Sequence, residues 1–152
     1  MIKIICVGTI KEKFTQAMID EYVKRLRTPY QLAIIELKES KHKNHPALSV
    51  DDESEMIMNQ IQPSDYVVAL DIWGTLGSTQ DFHKVIEASF NQAKHCVFVI
   101  GGSHGFNQAV RQRANVRFSM SRMTFPHQMV RALLIEQIYR SYTLYQNIPY
   151  DK

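Results

Sequence analysis

The sequence predicts an α/β fold built on a parallel sheet, and three observations carry that expectation. Short runs rich in Val, Ile and Ala alternate five times with segments of helical periodicity. The runs are continuously apolar rather than alternating, as strands covered on both faces are. The length, 152 residues, is one domain's worth and buries roughly 70% of the unfolded surface without disulfide or metal staples. A single domain over 1–152 is therefore expected.

The elements follow in order. Ile2–Val7 is an apolar run closed by Gly8 and reads as a strand. Thr15–Leu26 has apolar residues at 18, 19, 22, 23 and 26, a helical stripe. Leu32–Leu37 reads as a strand and the polar stretch Lys38–Val50 as a loop. Asp51-Asp52-Glu53 puts negative charge at the start of a helix running to about Gln60, where it suits the helix dipole. Pro63-Ser64-Asp65 breaks the helix, and Tyr66–Leu70 is a strand ending at Asp71. Ser78-Thr79-Gln80-Asp81 opens a helix with Phe82, Val85, Ile86 and Phe90 on its apolar face. Cys96–Ile100 is a strand, Asn107–Ala114 a short helix and Val116–Met120 a short strand. A long helix runs from His127 to about Gln146. Its apolar residues go most of the way around, so it is buried on more than one side. That fits either a central helix in a monomer or, as favoured here, a second surface covered by another subunit.

Composition excludes disorder, collagen and disulfide scaffolds, since apolar residues are 45% and charged residues 22%. Cys6 and Cys96 each sit in an apolar run, which predicts two buried free thiols. No C-x-x-C spacing or other metal pattern occurs, so no metal is expected. The start lacks a signal-peptide pattern, and the apolar stretches fall short of the roughly 20 residues that span a bilayer. A cytoplasmic protein without a membrane partner is expected.

Ligands of open parallel sheets bind at the C-terminal ends of the strands. Three segments have that position: Leu70-Asp71-Ile72-Trp73-Gly74, Gly101-Gly102-Ser103-His104-Gly105, and the run from Ser119 to His127. The glycine segment matches neither the dinucleotide fingerprint nor the Walker loop, and reads either as a bare turn or as a binding loop. The third segment exceeds the usual strand-to-helix length of about 2–6 residues and carries Met120, Met123 and Phe125. It reads either as a loop packed on the core or as the wall of a pocket for a flat, partly apolar ligand. His127 reads as a helix-start residue. Arg131, one turn later on the same face, together with it suits an anion or a nucleic-acid backbone. No triad order is present, so a hydrolase is poorly supported.

Taken together, the chain resembles the ribosomal RNA large subunit methyltransferase H family, small members of the SPOUT class. The residues that carry the resemblance are Ile4–Gly8, Ala69-Leu70-Asp71 with Gly74, and Phe98-Val99-Ile100-Gly101-Gly102. They continue through Ser119-Met120-Ser121, Met123-Thr124-Phe125-Pro126-His127, Arg131, Glu136–Arg140 and Pro149-Tyr150, essentially the whole chain. The resemblance implies a parallel-sheet SPOUT fold with a deep trefoil knot in its C-terminal part, a homodimer, and S-adenosylmethionine as methyl donor. By motif match the donor contacts are Leu70, Gly101, Met120, Ser121, Arg122, Met123, Thr124 and Phe125. The implied reaction is methylation of N3 of a pseudouridine in helix 69 of 23S rRNA, on the assembled ribosome. The imide N3 must lose its proton, so a base is expected: His127, then Asp71, then His104. Arg131 and Arg122 are candidates to stabilise the developing anion or to meet phosphate. His104, Tyr150 and Lys152 are the candidate substrate contacts.

The chain departs from the family at two places. Position 104 is His where some relatives carry a carboxylate, and the chain ends Tyr150-Asp151-Lys152 where relatives often have Tyr followed by His. A ribosome-bound factor with impaired catalysis is therefore the alternative reading. A flavodoxin-like protein would need a phosphate cradle that the sequence lacks. The net charge of +3 is unevenly divided. Residues 1–104 hold 11 Lys or Arg against 13 Asp or Glu, and residues 105–152 hold 7 against 2, so the C-terminal third is basic and suited to RNA.

Overall fold

The structure, a computed structural model, describes residues 1–150. Asp151 and Lys152, and with them the expected substrate contact of Lys152, lie outside the described residues. The chain runs β1 (Ile2–Val7), α1 (Lys13–Val23), β2 (Leu32–Leu37), α2 (Pro46–Gln60) and β3 (Tyr66–Leu76). It continues through α3 (Thr79–Asn91), β4 (Cys96–Ile100), α4 (Gln108–Arg113), β5 (Val116–Ser119) and α5 (His127–Gln146). The five strands form one sheet in the order β2-β1-β4-β3-β5, and every pairing is parallel.

The sheet is apolar on both sides because helices cover both. One core joins Ile2, Ile4, Val68 and Phe98 to residues of α1, α3 and α5, among them Ile19, Phe82, Leu134 and Ile138. The other joins Ile5, Val67, Val97 and Val99 to Ile57 of α2 and Val110 of α4. Successive residues of a strand point to opposite faces, so β1 and β4 feed both cores at once. This is why those runs read as unbroken hydrophobicity. No helix of the described residues is long and apolar enough to cross a membrane.

Local chemistry sets the helix starts. Ser78 and Asp81 form a reciprocal capping box at α3. The Asn107 side chain accepts from the backbone N–H of Ala109 at α4. α2 begins at Pro46, one and a half turns before the acidic triplet expected to open it. Proline at the first helical position has the right φ and gives up an N–H that would be unpaired anyway. The preceding loop is correspondingly shorter and is tied to α2: the Ser40 N–H donates to Glu53 (2.9 Å) and its hydroxyl to Asp52 (2.9 Å).

β3 also departs from expectation. It does not end at Asp71 but resumes after a bulge, since Leu70 and Thr75 both register with Phe118 of β5. Residues 71–74 are thereby pushed out of the sheet plane at the end where ligands bind. α5 lies between α1 and α3 on one face of the sheet, with nine of its residues between Arg131 and Thr143 buried. One chain thus accounts for much of its apolar circumference, while Met129 and Tyr145 stay exposed.

Candidate active site at the strand ends

The three strand-end segments meet in one cleft of about 440 Å³, within the usual range for a small-molecule site. Seven of the eight residues expected to hold the methyl donor line it: Leu70, Gly101, Met120, Ser121, Met123, Thr124 and Phe125. His104 and His127 line it as well. The glycine segment is therefore a cleft wall, and the long 119–127 connection is its opposite wall.

Each wall has a local cause. In the glycine loop the Gly105 N–H donates to the Gly102 carbonyl at 3.0 Å, closing a tight turn. A Cβ on Gly101 would lie 2.7 Å from the Gly105 backbone, so only glycine permits that approach. In the 119–127 connection the Ser119 hydroxyl donates to the Ser121 carbonyl (3.0 Å), and the Met123 N–H donates to the Ser121 hydroxyl (3.0 Å). These bonds hold the chain in a non-helical course that presents Met123 and Phe125.

Asp71 lines the cleft with a buried carboxylate. Its Oδ2 accepts from Arg117 (2.7 and 3.0 Å) and Arg111 (3.2 Å), and its Oδ1 accepts from the Trp73 N–H (3.1 Å). Burial pushes the acid up, but the Trp73 amide and the two guanidiniums prevail and hold it below the ordinary carboxylate range. A carboxylate held in this way is a poor proton acceptor, so Asp71 leaves the set of base candidates. His127 and His104 remain at the cleft. His127, the first residue of α5, stands beside Gly8 at the end of β1.

Three expected residues are placed elsewhere. Arg131 does not line the cleft. It is 2% exposed, and its guanidinium donates to Glu36 Oε2 (2.5 Å) and to the Gly8 carbonyl (2.9 Å), with Nε unpartnered. This corrects the anion-contact role: with both ends of its fork engaged, Arg131 straps α5 to the ends of β1 and β2. Arg122 also turns from the cleft. Its guanidinium donates to the carbonyls of Ile72 and Gly74 (3.0 Å to the latter) and sits 6.0 Å from the Trp73 ring centroid. Tyr150 does not reach the cleft of its own chain either. Its ring meets Tyr139 edge-on at 4.8 Å, beneath Arg140, and its hydroxyl donates to Glu136 at 3.1 Å.

Sequence reading passed over Trp73, Arg111 and Arg117 as individual residues, although the first lies in a segment singled out for position and the others belong to the basic C-terminal third. Among the described residues no group of three or more His, Cys, Asp or Glu is gathered to hold a metal ion.

Known proteins align with this chain along nearly all its length. The family described as "Predicted SPOUT methyltransferase" matches residues 1–151. A protein of Caldicellulosiruptor saccharolyticus is 43% identical over all of both chains, and one of Bacillus pumilus 42% identical over 99% of each. Both are named Ribosomal RNA large subunit methyltransferase H. A solved structure, the SpoU methyltransferase AviRb from Streptomyces viridochromogenes in complex with the cofactor AdoMet, is 12% identical with a TM-score of 0.47. It covers 98% of this chain, which spans 58% of that one.

Proposed function

The chain belongs to the SPOUT methyltransferase family, and on that premise we propose that it transfers a methyl group from S-adenosylmethionine to N3 of a pseudouridine in helix 69 of 23S rRNA, within the assembled large subunit or 70S ribosome. The observation that carries the reading is the convergence of seven candidate donor residues from three distant segments on one cleft. The cleft also suits the donor chemically. Its apolar walls, Leu70, Phe118, Met123 and Phe125, fit a flat ring and a thioether-like chain, and Gly101 brings backbone to the cleft lining without a side chain. The lack of a phosphate-gripping lysine in the glycine loop agrees with a donor that has no phosphate.

The donor supplies an activated methyl on sulfonium, so the protein's task is alignment and removal of the N3 proton. His127 takes that proton, with His104 the next candidate, and Asp71 is fixed as the carboxylate that organises the wall. Arg131 positions the start of α5, and thereby His127, without meeting substrate. The C-terminal segment takes the trefoil-knotted path of the class. The working form is a homodimer, in which the tail bearing Tyr150 and Lys152 completes the partner's cleft, since Tyr150 does not reach its own. Phe14 and Met18 of α1 and Met129 and Tyr145 of α5 are the exposed apolar residues such a dimer would cover. The site of action is the cytoplasm, where the ribosome is.

Methyl transfer from labelled S-adenosylmethionine to intact ribosomes, free 23S rRNA, tRNA and no RNA tests this reading. Incorporation on ribosomes alone, mapped to N3, is expected. Incorporation on tRNA would overturn the substrate. Donor binding by calorimetry without turnover on any RNA would leave a ribosome-binding factor instead.

A further inference from the structure

A single exposed apolar side chain is ordinary; an exposed indole on a backbone clamped from both sides, at the rim of a cleft, is not. Trp73, the only tryptophan of the chain, is 75% exposed and borders the cleft. It rides the β3 bulge. Its own N–H is taken by Asp71, and the carbonyls on either side of it, Ile72 and Gly74, both accept from Arg122. Asp71 is in turn fixed by Arg111 and Arg117. Gly74 lets β5 press directly on the bulge, since a Cβ there would lie 2.6 Å from the Arg117 carbonyl. The fold therefore immobilises the backbone of a residue whose side chain it leaves in water.

The surroundings define what that side chain is prepared to meet. The Arg122 guanidinium lies toward one face of the indole, 6.0 Å from the ring centroid, and leaves the other face for a flat π partner. Two guanidiniums, Arg111 and Arg117, share one carboxylate, Asp71, and a third, Arg122, is held by the neighbouring carbonyls of Ile72 and Gly74, so the platform carries surplus positive charge. An aromatic face with cationic neighbours is the combination that holds unpaired nucleotides: the base stacks and the phosphates meet the charge.

We propose that Trp73 is a stacking platform for an unpaired nucleobase next to the methylated one, with Arg122 behind the indole and the arginine surplus facing the RNA backbone. The proposal rests on the RNA reading given above. Stacking tolerates any base, so the platform places the target nucleotide in the cleft rather than selecting its sequence.

Steady-state kinetics on ribosomes with Trp73→Ala and Trp73→Phe test it, together with calorimetry of S-adenosylmethionine and light scattering. Trp73→Ala is expected to raise KM for ribosomes about tenfold or more, with Trp73→Phe staying within about threefold of the original, because a smaller ring still stacks. Donor affinity and oligomeric state stay unchanged in both. An unaltered KM in Trp73→Ala overturns the platform. So does a loss of donor affinity, which would assign the indole to the donor's adenine, or a change of oligomeric state, which would assign it to an interface between copies.

Because Trp73 is the sole tryptophan, its emission reports this site alone. Quenching by a helix 69 stem–loop oligonucleotide, and not by S-adenosylmethionine, is expected. Quenching by the oligonucleotide with no methylation of intact ribosomes keeps the platform and retires the methylation reading; methylation of ribosomes with neither quenching nor a KM effect does the reverse.

Discussion

The two thiols illustrate how burial decides chemistry at a single residue. Burial pushes Cys6 up to about 11 and Cys96 up to about 12, and the Cys6 sulfur donates to the Ile35 carbonyl. The reactive species is the thiolate, so neither sulfur is nucleophilic near neutrality. A chromogenic disulfide reagent should label no cysteine in the native protein at pH 7.5 and two after denaturation; fast native labelling would contradict the burial. Asp71 makes a pH-dependent contribution of definite sign. Its folded pKa lies below the ordinary 3.8, so its stabilisation is complete above that range and is lost as pH falls through the lowered value. Asp71→Asn should lower the melting temperature at pH 7, and the gap to the original should close as the pH falls through the lowered value. Burial of the cysteines was legible in the sequence because it depends on neighbours in the same run. The state of Asp71 was not, because its arginine partners are 40 and 46 residues away.

At the scale of elements, what the sequence made legible was whatever local periodicity and capping determine. The limits of β1, β2, β4 and α5 are as expected, while β3 outruns its expected end because pairing with β5 restarts it after the bulge. No local signal encodes that restart. The strap from α5 to β1 and β2 is likewise long-range, joining Arg131 to Glu36 across 95 positions. It yields an asymmetric prediction. Glu36→Gln leaves a buried cation without its counter-charge and should cost about 2–3 kcal/mol, toward the low end for a buried pair because Glu36 is 40% exposed. Arg131→Met removes the buried charge and keeps much of the volume, so it should cost less, about 1 kcal/mol, chiefly from the Gly8 carbonyl losing its donor. Urea denaturation of the two variants decides the order. Equal losses would mean that packing of the arginine stem, not charge compensation, holds the joint.

For the whole molecule, the expected layered α/β architecture is present, with α1, α3 and α5 on one face and α2 and α4 on the other. The all-round apolarity of α5 has a largely intramolecular origin, so the proposed dimer rests on residues that stay exposed. Phe14, 74% exposed, and Met18 stand one turn apart on α1. The double change Phe14→Glu, Met18→Glu should convert the particle from twice the chain mass to the chain mass in light scattering while the far-ultraviolet spectrum of the fold is retained. A wild-type monomer would remove the basis for a shared site. The basic C-terminal third has a structural expression too: much of its arginine excess is drawn to the bulge of β3, beside the cleft, rather than spread over the surface.

The strand order carries a consequence for how the molecule is made. β4 sits in the middle of the sheet, between β1 and β3, yet it is the fourth strand to leave the ribosome. Until residues 96–100 are synthesised, β1 and β3 each have an edge with no neighbour and cannot be joined. At about 5–20 residues per second that interval lasts several seconds. Nascent chains stalled short of β4 should therefore be open to proteases and prone to edge-to-edge association, and chains released just beyond it should be far less so. A protein proposed to finish ribosomes thus spends its own most vulnerable seconds emerging from one.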